Sequence, residues 1–403
     1  MPVVSEYDVR AAATAGQRRL SVPMDAVVTP QALEVADRLG VSIRHGAAAP
    51  LAVPDIDPAR AVQRGLFRRS PRWTAPPPRR GAMPRRFTRV SIVGSGMVGA
   101  TTAHLTALSG MADELALIDV VPGLAAATAL DIEHASGITR SATRTRGGTA
   151  LDLVAGAEVV VVTAGRPRSP GVTRAALLEI NGRVVRDVAE AIRAHAPSAV
   201  VIVVTNPVDE MTYELWHASG LDGTQVLGMA GTLDSSRFRN ALAAAAGVRP
   251  NDVSAVTLGS HGGEMVPVVS SATIKGRPAR DVLAQHALEA CARSAVNGGG
   301  DVVSLRQTGS AFIAPAHAVV EVMDALRGAT TDPVPVSAML HGEYGVEGVF
   351  VGVRSRLGMQ GVVEIIEDRL EPGEIQQLQD AAASIRGRLS RVVQTNQLAY
   401  RPE

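Results

Sequence analysis

From Phe87 onward the chain alternates short, continuously apolar runs with longer segments of helical period. Arg89-Val-Ser-Ile-Val93, Leu115-Ala-Leu-Ile118, Glu158-Val-Val-Val-Val162 and Ala199-Val-Val-Ile-Val-Val204 have the length and β-branched content of strands buried on both faces. Between the last two, a long helix is predicted from about Ala175 to His195. This alternation predicts an α/β protein built on a doubly wound parallel sheet. The longest apolar runs, Val159–Val162 and Val200–Val204, fall far short of the roughly 18 to 20 residues of a membrane span.

Before Phe87 the pattern differs. Val4-Ser-Glu-Tyr-Asp-Val-Arg-Ala-Ala12 predicts a capped helix, Leu20-Ser-Val22 a short strand, and Asp25-Ala-Val-Val-Thr-Pro30 a second strand ended by proline. Gln31 to Leu39 then predicts a helix stopped by Gly40. Residues 1–45 are therefore expected to form a small folded module. Residues 46–86 carry nine arginines and two aspartates among repeated Pro and Ala, a composition that buries little and predicts a disordered linker. Within it, Asp57 to Arg69 reads as a short helix, with Asp57 as N-cap, Pro58 in the first turn and an apolar stripe of Ala61, Val62, Leu66 and Phe67.

Charge sharpens this division. Residues 1–86 hold 14 arginines against 7 acids, whereas the other 317 hold 26 basic against 32 acidic side chains. The arginine surplus fits solubility and arginine-rich codon usage, since Lys275 is the sole lysine; contact with an anionic surface stays open. With few aromatics interleaved, nucleic acid is not an expected partner. The first residues include Glu6 and Asp8 and no apolar signal core, and Cys291 is the sole cysteine, so a cytoplasmic protein without an internal disulfide is expected. No His-Glu-x-x-His string or cysteine cluster predicts a metal. His104, His134, His195, His217, His286 and His317 fall in predicted helices without metal-ligand spacing.

Chemistry concentrates at the strand ends. Gly94-Ser-Gly-Met-Val-Gly99 follows the first strand and opens a helix, the arrangement in which glycines permit a tight turn and close approach of a pyrophosphate to the helix N-terminus. Asp119 ends the next strand 20 residues after Gly99, where an acid binds the ribose hydroxyls of NAD and disfavours the phosphate of NADP. The third and fourth strands end in Ala164-Gly165 and Asn206-Pro207, which places Asn206 to contact cofactor or substrate, or simply to turn the chain. Arg168, Arg174 and Arg237 supply planar forks that match carboxylates, and His261 is a proton donor active near neutral pH.

Taken in order, Gly94 to Gly99, Asp119, Thr163-Ala-Gly-Arg-Pro-Arg-Ser-Pro-Gly-Val-Thr-Arg174, Thr205-Asn-Pro-Val-Asp209, Leu233-Asp-Ser-Ser-Arg237, Ser260-His-Gly262 and Thr308-Gly-Ser-Ala311 resemble the lactate/malate dehydrogenase family across residues 88–397. The resemblance implies a Rossmann NAD-binding domain over 87–231, a mixed α/β catalytic domain over 232–403 ending in an amphipathic helix from Gly373 to Val393, and a homodimer or homotetramer. It implies reversible NAD-dependent oxidation of (S)-malate to oxaloacetate, with His261 moving the proton, Asp234 orienting it, Arg237 clamping a carboxylate, and Arg174 polarising the carbonyl. Arg168 would then pair with the second carboxylate of a dicarboxylic acid, with Asn206 and Ser310 completing the substrate site. For NAD it implies Gly94, Gly96, Met97, Val98, Gly99, Asp119, Thr163, Ala164, Gly165, Asn181, Thr205 and Asn206. Arg166 reads as a solvated loop side chain beside this set.

One departure stands out: many relatives carry Asp directly after His-Gly, where this chain has Gly263 followed by Glu264. It keeps open a catalytically weakened oligomeric scaffold beside the other alternative, a dehydrogenase for lactate or another 2-hydroxy acid. At the other end, Asp8-Val-Arg-Ala-Ala12, Val27-Val-Thr-Pro30, Glu34-Val-Ala-Asp37 and Leu39-Gly-Val-Ser-Ile43 resemble the short N-terminal region of the ethanolamine-utilisation cupin protein of bacterial microcompartments. This implies a targeting or interaction role for the module, with a microcompartment or another protein as partner.

Overall fold

The computed structural model describes residues 84–166, 174–307 and 309–399, together with most of residues 3–45. Two compact units result, Met1–Arg80 and Gly81–Glu403. Residues 46–83 of the expected linker, with its Asp57–Arg69 helix, lie outside the described residues, while its last residues are held on the second unit by the Arg85–Glu158 and Arg86–Asp113 ion pairs.

In the first unit, β1 (Val3–Val4) pairs in parallel with β3 (Val27–Val28), and β2 (Arg19–Val22) with β4 (Ser42–His45). Helix α1 (Pro30–Leu39) starts at Thr29, whose hydroxyl accepts the Ala32 N–H at 3.2 Å, and stops at Gly40 in the left-handed conformation. The helix expected from Val4 does not include Val4, which belongs to β1. Its carbonyl accepts from Thr29 N at 3.0 Å and its side chain packs with Val22 and Ala26, long-range partners that a local capping pattern cannot anticipate.

The second unit is built on one eleven-stranded sheet. Its parallel half comprises β5 (Phe87–Val93), β6 (Ala112–Ile118), β7 (Arg144–Gly148), β8 (Val159–Val162), β9 (Val200–Val203) and β10 (Val226–Gly228), in the spatial order β10-β9-β8-β5-β6-β7. This is the doubly wound order, with the chain reversing direction of travel at β5. The connecting helices are α2 (Met97–Leu108), α3 (Leu124–Thr139), α4 (Arg174–His195) and α5 (Val208–Ser219). Alternate residues of a strand serve opposite layers. Val159, Val161, Val200 and Ile202 pack with α2 and α3, while Val160, Val162, Val201 and Val203 pack with α4 and α5.

After β10 come α6 (Gly231–Ala246) and short strands β11 (Val253–Ser254), β12 (Thr257–Gly259), β13 (Met265–Pro267), β14 (Thr273–Ile274) and β15 (Arg277–Pro278). Helices α7 (Gln285–Arg306) and α8 (Ile313–Leu326) precede β16 (Val334–His341), β17 (Glu347–Gly358) and β18 (Gly361–Ile365). The sheet does not break between the halves, because β16 pairs antiparallel with β10 and continues it to β17 and β12. The final helix α9 (Pro372–Ala399) buries Leu378, Ala382, Ile385 and Leu389 in the core of the same chain. Among the described residues no helix is long and apolar enough to cross a membrane.

Close packing at β7 gives a test of this layering. A Cβ on Gly147 would lie 2.1 Å from the Ala125 carbonyl of α3, so the helix must move to admit it. Gly147→Ala is expected to destabilise the protein by about 1–3 kcal/mol. A lowered urea midpoint with unchanged slope would read this out, and an unchanged midpoint would show that α3 is not packed as described.

Candidate active site

Helix α6 opens the site. Its first turn is fixed on two sides: Thr232 Oγ1 donates to Pro335 O at 2.8 Å, and Ser235 Oγ accepts from Thr257 N at 2.8 Å, tying α6 to β16 and β12. Asp234, in that turn, is favoured by the positive end of the helix dipole. One of its oxygens meets His261 Nδ1 at 2.8 Å and the other accepts from Arg237, one turn on, at 3.0 Å. Asp234 is buried, whereas His261 and Arg237 keep 13% and 20% of their side chains exposed, enough to meet a small ligand. Arg237 lies along Gly298 and Gly299 of α7, where a Cβ on Gly298 would come within 3.3 Å of its Cδ. The paired glycines make room for the guanidinium.

His261 sits in the loop between β12 and β13, held from behind by a second buried carboxylate. Asp209, at the start of α5, accepts from Ser260 Oγ and from the His261 backbone N–H, both at 2.9 Å, and from Ser337 Oγ of β16 at 2.7 Å. Burial and the neighbouring Glu210 charge raise the Asp209 pKa to about 6 despite these donors and the nearby His261. For the imidazole, burial alone favours the neutral form, but the charge and hydrogen bond of Asp234, aided by the charge of Asp209, outweigh it and the repulsion of Arg237. The net effect raises the His261 pKa above 6.5. Asp209 had been visible only as part of the Thr205-Asn-Pro-Val-Asp209 string. Its one local signal is an acid two residues after a strand-ending Asn-Pro turn.

The nucleotide end lies at the carboxyl edge of β5, β6 and β8. Gly94, with φ 102°, passes so close to β8 that a Cβ would sit 2.6 Å from Ala164 N, and a Cβ on Gly99 would meet the Gly94 carbonyl at 1.8 Å. A Cβ on Gly96 would meet nothing within 4 Å, and Gly96 caps α2 without a side-chain hydrogen bond. Helix N–H groups therefore face open space, as an incoming pyrophosphate requires. Asp119 accepts from Ser95 N at 2.6 Å and Val121 N at 2.9 Å, while the buried Ser95 Oγ has no partner in the protein. An orphaned hydroxyl beside a glycine cradle and a strand-end acid fits a dinucleotide.

The remaining candidates divide. Thr163 and Thr205 join the strand ends, donating to Gly94 O at 3.0 Å and Ala164 O at 2.7 Å. Asn181 of α4 is buried; its amide nitrogen donates to Asn206 O at 2.7 Å and its oxygen accepts from Arg166 N at 2.7 Å, so it holds the two loops that flank the site. Met97 is exposed, Val98 packs partly against the core, and Asn206 and Ser310 are exposed at their turns. Arg166 is exposed as well. Arg174 is the first residue of α4; its side chain, and Arg168 entirely, lie outside the described residues.

A family model for the lactate/malate dehydrogenase NAD-binding domain matches residues 88–228, and that for the lactate/malate dehydrogenase alpha/beta C-terminal domain matches residues 231–395. The chain belongs to the lactate/malate dehydrogenase family. Among its relatives, a malate dehydrogenase of Trichormus variabilis is 41% identical over 306 residues, covering 76% of this chain and 94% of that one. One of Thioalkalivibrio sulfidiphilus is 38% identical over 304 residues, 75% of this chain and 99% of its own. Solved structures agree. A Cryptosporidium parvum malate dehydrogenase superposes with TM-score 0.74 at 34% identity, over 77% of this chain and all of that one. An Eimeria maxima lactate dehydrogenase, with NADH and oxamate, gives 0.75 at 30% identity over 79% and 98%. NAD is the cofactor of this family's N-terminal domain, and the glycine cradle of this chain suits it.

The two carboxylates around His261 should act in the same direction. Asp209→Asn is expected to lower the imidazole pKa, because it removes a negative charge that stabilises the imidazolium, and Asp234→Asn to lower it further. An NMR titration of the His261 ring, assigned by its loss in His261→Gln, measures both. An unmoved pKa in the two variants would contradict this electrostatic account.

Proposed function

We propose that the chain catalyses the NAD-dependent interconversion of (S)-malate and oxaloacetate. The observation that carries this reading is the Asp234 carboxylate shared between His261 and Arg237 at 2.8 and 3.0 Å, beside a sheet edge that suits a dinucleotide. Gly94, Gly96, Gly99 and Asp119 would hold NAD, which would supply the hydride acceptor or donor. Arg237 pairs with the C1 carboxylate of the substrate as a fork. In reduction His261 gives its proton to the carbonyl oxygen, and Asp234 keeps the imidazolium available until that moment. Arg174, at the first residue of α4, stabilises the developing charge on that oxygen.

Dicarboxylate choice is assigned to Arg168. An arginine facing the substrate's far end is matched by the second carboxylate of oxaloacetate, whereas the methyl of pyruvate would leave a desolvated cation unpaired, at a cost of several kcal/mol in order of magnitude. The malate dehydrogenase names of the relatives favour this reading. The lactate dehydrogenases among the structural neighbours keep pyruvate as the competing substrate. We assign the enzyme to the cytoplasm as a homodimer or homotetramer, with residues 1–45 as a docking module and residues 46–86 as its tether; its partner is another protein or a microcompartment component. A fluorescent protein carrying residues 1–86 should concentrate at discrete bodies in the source cells, and diffuse signal equal to that of the unfused control would remove the microcompartment component.

Purified protein is expected to oxidise NADH with oxaloacetate far faster than with pyruvate, and Arg168→Gln should lower kcat/KM for oxaloacetate by about 10²-fold or more. Equal rates with both acids would refute the assignment of Arg168. Reduction needs the protonated imidazole, so its kcat/KM should fall as pH rises through the raised His261 pKa, while malate oxidation rises over the same interval. In Asp234→Asn both limbs should move to lower pH. Stationary limbs would assign the titration to another group.

A further inference from the structure

Helix α9 brings one arginine from the far end of the sequence to the back of the catalytic loop. Arg388 Nη1 spans both oxygens of Glu264 at 3.0 and 2.8 Å, its Nε donates to the buried Glu210, and Nη2 reaches Ser260 Oγ at 3.5 Å. Each of these partners adjoins a residue of the site. Ser260 precedes His261, Glu264 lies three residues beyond it, and Glu210 follows Asp209, four residues after Asn206. The side chain is 20% exposed, its ionic partners Glu210 and Glu264 0% and 38%.

Two anchors thus hold the His261 loop. Asp209 fixes the Ser260 hydroxyl and the His261 N–H from one side, and Arg388 fixes Ser260 and Glu264 from the other. Between these anchors the loop stands open at Gly263, where a Cβ would meet nothing within 4 Å. Because a guanidinium is planar and permanently charged, its fork sets direction as well as distance. Arg388 bonds the His261 loop and the start of α5 at once, so it fixes one relative to the other.

We propose that Arg388 is a positioning residue for the reaction: through Glu264, Ser260 and Glu210 it holds the His261 loop against the start of α5, making the C-terminal helix part of the machinery that aims the imidazole at the substrate. This rests on the malate dehydrogenase reading for its kinetic expression, though not for the geometry itself.

Glu264→Gln, Arg388→Met and Arg388→Lys are compared with the wild type as full-length proteins. The expected result is a fall in kcat for oxaloacetate of about 10- to 100-fold in Glu264→Gln and Arg388→Met, because misplacement by an ångström costs rate steeply. KM for oxaloacetate and the NADH dissociation constant, which depend on Arg237 and the glycine cradle, should stay within about twofold, and Arg388→Lys should recover part of the lost rate. Arg388→Met strips the buried Glu210 of a cation and can fail to fold. Glu264→Gln removes only the more exposed end of the clamp and keeps the test open. Independently of turnover, the His261 ring should give one sharp NMR resonance in the wild type and a broadened or doubled one in Glu264→Gln. Wild-type kcat together with an unchanged His261 resonance in a folded Glu264→Gln overturns the proposal. Absence of turnover in the wild type itself counts against the assigned reaction, and the resonance then decides the clamp alone.

Discussion

The whole site depends on one buried carboxylate having two partners. Asp234 is 2% exposed and carries a charge that must be matched where it lies; His261 and Arg237 match it from opposite oxygens. Because Asp234 and Arg237 lie three apart on one helix, their relative position follows from helical geometry. Only the histidine has to be brought from elsewhere. That is the task of β12, tied to α6 by the Ser235 hydroxyl, and of Asp209, which grips the loop by its backbone.

Sheet continuity makes this possible. Asp234 and Arg237 of α6 and His261 of the β12–β13 loop must be aligned with the glycine cradle at the ends of β5 and β8, and an error of an ångström between them would matter. A hinged pair of separate domains would place that error in a linker. Here β10 pairs with β16 inside one sheet, so both halves share a single set of ladder hydrogen bonds. The loops at the site are then drawn together by small bridges such as Asn181, whose one amide reaches both Arg166 and Asn206.

Much of this was legible from local pattern. The buried strands announced themselves by unbroken valine and isoleucine, the cradle by three glycines at fixed spacing, and α1 by Thr29 before it and Gly40 after. Distant partners were not legible. Asp209 reaches Ser260 across 51 positions and Ser337 across 128, and Arg388 reaches Glu264 across 124, separations at which nothing in the sequence marks two residues as neighbours. Val4 went astray for the same reason, since its partner strand lies beyond a helix and another strand. Nor could the amphipathic pattern of α9 say which surface it covers; Leu378 and Leu389 proved to face the core of their own chain. Arg168 is the reverse case, a residue whose role is argued wholly from its place in a motif.

The departure at Gly263 takes on a different meaning once the loop is seen in space. A carboxylate one residue from His261-Gly262 would stand on a stretch where a Cβ at 263 meets no neighbour, facing outward. In this chain the acid stands one position later, and from Glu264 it reaches Arg388. Meanwhile the charge that stabilises the imidazolium comes from Asp234 in contact and Asp209 nearby, neither of which depends on position 263. Loss of an acid at 263 therefore leaves the proton affinity of His261 in the hands of residues that are all present, and moves the loop's anchorage to the C-terminal helix. That argues for a working catalytic centre over a weakened scaffold, because a scaffold would have no need to gather two buried carboxylates, Asp234 and Asp209, and the Arg237 guanidinium around one histidine.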